Sequence, residues 1–180
     1  MSSPRIPAVT HPTGAALAKL EAWRSQDGTV PNVFATFAHH PALMHHFNAL
    51  GRQLLSHGVL SVRERELVIL RVAARTHCDY ELFHHERIAR GVGLTDDEIE
   101  QVTAPEAPTE LRVLTDVVDQ LIATSDVNDQ AWQAASARWS EPELIELIVM
   151  AGFYTALAGF LNSARVQIDT DSPTAIETTT

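Results

Sequence analysis

One cysteine, Cys78, occurs in the 180 residues, so no disulfide can close within the chain. Positive charge is also scarce: 13 lysines and arginines stand against 23 aspartates and glutamates. The resulting formal net charge of -10 opposes phosphate backbones and anionic lipid, so neither nucleic acid nor membrane is expected as a partner. No apolar leader follows the opening Met-Ser-Ser-Pro, which makes the cytoplasm the expected compartment. The uncharged run LIVMAGFYTALAGFL, 15 residues over 147–161, falls short of the ~20 that cross a bilayer. It is bracketed by Glu146 and Arg165 and reads as a buried core or interface helix. No run alternates β-branched residues between hairpin turns, which argues against a sheet.

What remains is an all-α chain. Hydrophobic residues at 45% and charged residues at 20% suit one globular core. Residues 1–12 carry three prolines and are expected as an extended arm, 13–167 as a single helical domain, and 168–180 as a flexible tail. Eight or nine helices are expected. The first covers 13–25, ending before Asp27-Gly28; Pro31 begins a short one to 39, and Pro41 starts another that runs to 56. Ser61-Val-Arg-Glu64 has the form of a capping box for a fourth helix to 76, and a fifth covers 78–90 before Gly91 or Gly93. Thr95-Asp-Asp-Glu98 is a second capping box, and further helices are expected over 109–123, 128–139 and 140–164. In the last, Gly152, Ala156 and Gly159 form a strip of small side chains suited to close helix packing, and oligomerisation is the expectation.

The chemistry concentrates between Ser61 and Ile99. On a helix, Cys78, Glu81 and His85 fall at i, i+3 and i+7, one stripe over two turns. Glu66 lies beside the apolar stripe of the preceding helix. Two effects compete at Cys78: a helix N-terminus and nearby imidazoles favour thiolate, whereas Glu81 one turn away disfavours it. A small buried hydrophobe is the plain alternative. Glu81 and His85, at i and i+4, either form a solvated surface pair or, if buried, an acid/base pair that exchanges protons near neutral pH. Tyr80 and His84 repeat that spacing on a neighbouring face, as a substrate-binding pair or as surface packing. Glu81-Leu-Phe-His84 has the Glu-x-x-His spacing of di-iron bundles, but that site needs the motif twice and only one copy is present. His-Glu-x-x-His is also missing, so neither metal nor other cofactor is expected.

The run LSVRERELVILRVAARTHCDYELFHHERIARGVGLTDDEI resembles the core of the carboxymuconolactone decarboxylase family, which includes the alkylhydroperoxidase-like proteins. Similarity extends more weakly from Pro31-Asn-Val-Phe34 to GFYTALAGFLN. The resemblance implies an alkylhydroperoxidase-like helical bundle, assembly as a trimer or hexamer, and a small-molecule substrate. The peroxidase branch pairs two cysteines, and here Glu81 stands where the second would be. Thiol peroxidase or redox-sensor chemistry at Cys78 would therefore need an external resolving thiol. The decarboxylase branch matches Glu81, His85, Arg87, Ala89, Gly93, Leu94 and Thr95. It implies cofactor-free decarboxylation or a related lyase or isomerase step, with Glu66, Cys78, Glu81 and His85 catalytic and Arg87 holding a substrate carboxylate. A non-catalytic oligomeric binding protein is the third alternative.

Overall fold

The computed structural model describes residues 3–25 and 28–169. The ends of the expected arm and tail, at 1–2 and 170–180, and Asp27 of the expected break lie outside the described residues. Nine α-helices and no strand occur among the described residues. They are α1 (Gly14–Leu20), α2 (Asn32–Phe37), α3 (Pro41–Ser56), α4 (Val62–Arg75), α5 (Asp79–Gly91), α6 (Asp96–Thr103), α7 (Thr109–Thr124), α8 (Asp129–Ser136) and α9 (Glu141–Ala164). The all-α reading holds.

The chain divides into two compact units, Gly58–Gly159 and a second made of Met1–His57 with Phe160–Thr180. In the second unit, α1 is shorter than its periodicity predicts. It tightens into a 3-10 turn at Glu21–Trp23, where Trp23 stacks on Phe34 with ring centroids 3.9 Å apart and Arg24 turns back to Glu21 and the Gly28 carbonyl. The N-terminal arm is tied down by its backbone: the amides of Arg5 and Ile6 donate to the Ala164 carbonyl, and that of Val9 to Ala35.

In the unit Gly58–Gly159, α4 is the central rod, with α5, α6 and α7 packed on it. Every residue from Arg65 to Ala73 is buried, so its apolar side chains face neighbours on all sides. The caps expected from sequence form, with one change. Thr95 and Glu98 make the full reciprocal box on α6. Ser61 caps α4 by accepting from the Glu64 amide at 3.2 Å, but the Glu64 carboxylate turns to the Ser61 hydroxyl and the Trp139 indole N–H (2.7 and 2.9 Å). That indole contact lies beyond α8, which stops at Ser136, short of the predicted 139.

α9 is long and apolar enough to cross a membrane by length and composition alone. Its Leu147, Met150, Ala151 and Tyr154 are instead buried inside the protein, while Ile145, Val149, Gly152, Ala156 and Gly159 face outward.

Arg71 is the polar fastener of this core. Its Nε and Nη2 donate to the two oxygens of Asp119 (2.7 and 2.6 Å), and its Nη1 donates to the carbonyls of Val102 and Ala104 at the end of α6. One guanidinium thus satisfies helix-terminal carbonyls and joins α4 to both α6 and α7. Asp119→Ala is expected to cost about 3 kcal/mol, because it leaves a buried cation without its counter-charge. Urea unfolding should show a lower midpoint with an unchanged slope.

Candidate active site

The site is built by the turn between α4 and α5. The His77 amide donates to Ala74 and the Cys78 amide to Ala73, with His77 at a left-handed φ of 52°. This is a Schellman closure of α4, and Cys78 is at the same time the N-cap of α5. The chain therefore reverses within two residues, and α5 returns along α4. Gly93, at φ 90°, closes α5 in the same way, with the Leu94 amide on the Ala89 carbonyl.

That reversal places His85 opposite Glu66. The ring Nδ1 lies 2.7 Å from Glu66 Oε2, and Nε2 lies 3.3 Å from Glu81 Oε2. Glu66 is 1% exposed, and Glu81 and His85 are each 5% exposed. Burial alone would push the imidazole down, but the two carboxylates outweigh it and raise it from 6.5 to about 10. At neutral pH the ring is therefore an imidazolium, with one N–H directed at each carboxylate. Arg65 Nε stands 3.6 Å from Glu66 Oε1, so the buried cluster holds two cations and two anions. The Tyr154 ring, 3% exposed, meets the His85 ring edge-on at 5.4 Å and 90°. Burial, then Glu81 and Glu66, push its phenol well above the usual value and keep it protonated.

Cys78 is fully buried at the head of α5. Burial raises its thiol from 9.0 to about 11, with Glu81 and Asp79 adding to the rise, while the amides of Glu81 and Tyr80 pull the other way without prevailing. Of the two opposing effects anticipated at this cysteine, the helix N-terminus loses. The group is a thiol at neutral pH.

The other sequence candidates lie around this cluster. Tyr80 is buried with its ring 4.6 Å from that of half-buried His84, whose other side faces Phe83. Arg87, two residues and about 200° beyond His85 on the helix, is exposed. The structure thus brings Glu66, Glu81 and His85 into direct contact, seats Cys78 one turn before Glu81, and leaves Arg87 on another side of α5. Sequence reasoning missed two members. Arg65 sits in Arg-Glu-Arg-Glu, which reads as a solvated start of a helix. Tyr154 is a polar tip within the uncharged run of α9, and that tip was the only signal available.

Residues 41–115 match the model of the carboxymuconolactone decarboxylase family. The matched segment is less than half of the chain. It runs from the start of α3 into α7, containing Glu66, Cys78, Glu81 and His85 but not Tyr154. The fold is that of the alkylhydroperoxidase-like proteins. A peroxidase-related protein from Silicibacter sp. TM1040 superposes with a TM-score of 0.77 at 20% identity, over 94% of this chain and 96% of that one. A peroxidase-related protein with the alkylhydroperoxidase AhpD core, from Ralstonia eutropha JMP134, gives 0.74 at 22% identity over 94% and 95%. A debrominase solved with 2,3,4-tribromopyrrole gives 0.72 at 15% identity over 92% and 91%. None of the curated proteins matches the chain.

The raised His85 sets a pH dependence of stability. The folded ring holds its proton up to about 10, whereas the unfolded ring releases it near 6.5, so in that window the folded state binds more protons. This contribution is complete below about pH 6.5 and is lost as pH rises towards 10. Denaturant titrations from pH 6 to 10 should show the wild type losing stability on the order of a few kcal/mol more than His85→Gln.

Proposed function

We propose that this chain carries out cofactor-free acid/base chemistry, a decarboxylation or related lyase or isomerase step, on a small carboxylated or lactone-like molecule. The observation that carries the reading is the His85 ring held between two buried carboxylates, 2.7 Å from Glu66 and 3.3 Å from Glu81. Loss of carbon dioxide beside a carbonyl leaves an electron pair on carbon, and the reaction needs a proton delivered there. The His85–Glu81 pair holds that proton. Glu66, bonded to Nδ1, fixes the ring so that Nε2 addresses Glu81. Cys78, retaining its proton at neutral pH, serves as an auxiliary acid beside Glu81.

Peroxide reduction at Cys78 is the weaker reading. Peroxidase-related proteins share the fold, but a buried thiol held to about 11 supplies little thiolate at neutral pH. The fold itself selects no substrate, since a debrominase also adopts it.

Incubation in heavy water with a panel of small lactone acids and β-keto acids should give carbon dioxide release or deuterium uptake. Glu81→Gln and His85→Ala should each lower that rate by about 100-fold or more, as expected for loss of a positioned proton donor. Unchanged rates in both variants would exclude the assignment. Alkylation of Cys78 by iodoacetamide in the native protein should stay slow from pH 7 to 9 and become fast only on unfolding. Rapid native labelling at pH 7 would favour the thiol reading.

A further inference from the structure

Neighbouring residues of a helix diverge by about 100°, so Arg65 and Glu66 would ordinarily point apart. Here both are buried, and the Arg65 side chain bends round until Nε stands 3.6 Å from Glu66 Oε1. The other oxygen, Oε2, lies 2.7 Å from Nδ1 of the His85 ring. One carboxylate is thus divided between two cations, one oxygen each. The two cations differ in kind: an imidazolium releases its proton within the working range of pH, whereas a guanidinium stays charged throughout it. Glu66 therefore keeps a counter-charge in both states of the ring. The groups that face His85 are Glu66 with Arg65 from α4, Glu81 from α5 with Cys78 one turn before it, and the Tyr154 ring from α9. Among these groups Arg65 is the only cation besides the ring. Its charge bears on Tyr154 too, opposing the rise that burial, Glu81 and Glu66 impose on the phenol.

We propose that Arg65 is a positioning residue acting through Glu66: it remains as counter-charge when His85 passes its proton to Glu81, and so keeps the ring able to give that proton up. The use made of the proton rests on the acid/base reading. In the transfer the Nε2–H bond breaks with its electron pair left on nitrogen, and a lone pair on the Glu81 carboxylate forms the new O–H bond. His85 and Glu81 both become neutral. Without Arg65, Glu66 would then be a lone buried anion, a state costly enough to hold the proton on the ring. With Arg65 in place, the Arg65–Glu66 pair persists and the transfer leaves no unpaired charge. Glu81 hands the proton to the substrate carbon and solvent returns one to the ring, so each turnover consumes one proton.

The test follows the His85 ring by nuclear magnetic resonance across pH in histidine-labelled protein, the signal being assigned by its loss in His85→Gln. Wild type is expected to titrate at about 10. Arg65→Gln is expected to hold the proton about tenfold more tightly or more, a rise of about one pH unit in the midpoint. The deciding comparison sets Arg65→Gln/Glu81→Gln against Glu81→Gln alone. The double variant opposes one buried cation to one buried anion, so it is balanced where Arg65→Gln alone leaves two anions on one cation. Loss of Glu81 also brings the midpoint down, since that carboxylate helps to raise it. The same rise of about tenfold in proton affinity is expected between these two variants. A midpoint unchanged or lowered in the double variant would overturn the proposal, because an arginine that only packs would move the melting temperature and leave the ring's proton where it was. The titration requires no turnover, so failure of the acid/base reading shows separately, as unchanged rates of Glu81→Gln and His85→Ala in the lactone-acid panel.

Discussion

The hydrogen bond between Glu66 and His85 is the constraint on which the unit Gly58–Gly159 depends. Glu66 belongs to a helix buried on every side, where an isolated carboxylate would be strongly disfavoured. It is tolerated because an imidazolium 2.7 Å away and a guanidinium 3.6 Å away face it. Glu81 in turn offsets His85. The four groups form a set whose charges cancel, and removing any one leaves the others unbalanced in low dielectric. The proton on His85 is therefore a structural component as much as a chemical one.

The same helix carries a second polar anchor five residues on. Glu66 fixes α5, whereas Arg71 fixes α6 and α7 through Asp119 and the carbonyls that end α6. Apolar contacts among Leu67, Val68, Ile69, Leu70 and Val72 supply the attraction but not the alignment. The directional bonds at the two anchors select one rotation of α4 relative to its neighbours. A central helix with two such fasteners holds a side-chain cluster at fixed distances, which proton transfer requires.

Much of this was legible in the residues. Proline, serine, threonine and glycine mark helix ends, so α3, α4, α6, α7 and α9 start within a residue of their predicted positions. The order Glu66, Cys78, Glu81, His85 pointed to one locality, and three of the four are in direct contact or hydrogen-bonding range. Burial was harder to read. Arg65 and Arg71 look like a solvated charge pattern until α5, α6 and α7 are known to surround them, whereas Glu66 already stood beside the apolar stripe. The balance at Cys78 was equally out of reach, since helix amides and desolvation oppose each other and only the packing sets their sizes. Tyr154 is distant in sequence from the cluster, and no periodicity along α9 says which of its buried faces meets His85.

Cys78 closes one helix and opens the next, and this double duty turns the connection into a counting device. Each residue of an α-helix advances the azimuth by about 100°. One residue inserted or deleted between Arg75 and Asp79 would therefore rotate the whole of α5, carrying His85 off Glu66 and turning the buried stripe towards water. Side chains in the turn are replaceable, as the left-handed non-glycine His77 already illustrates. Its length is not: nineteen positions separate the carboxylate from the imidazole, and that interval sets the angular phase of the active stripe.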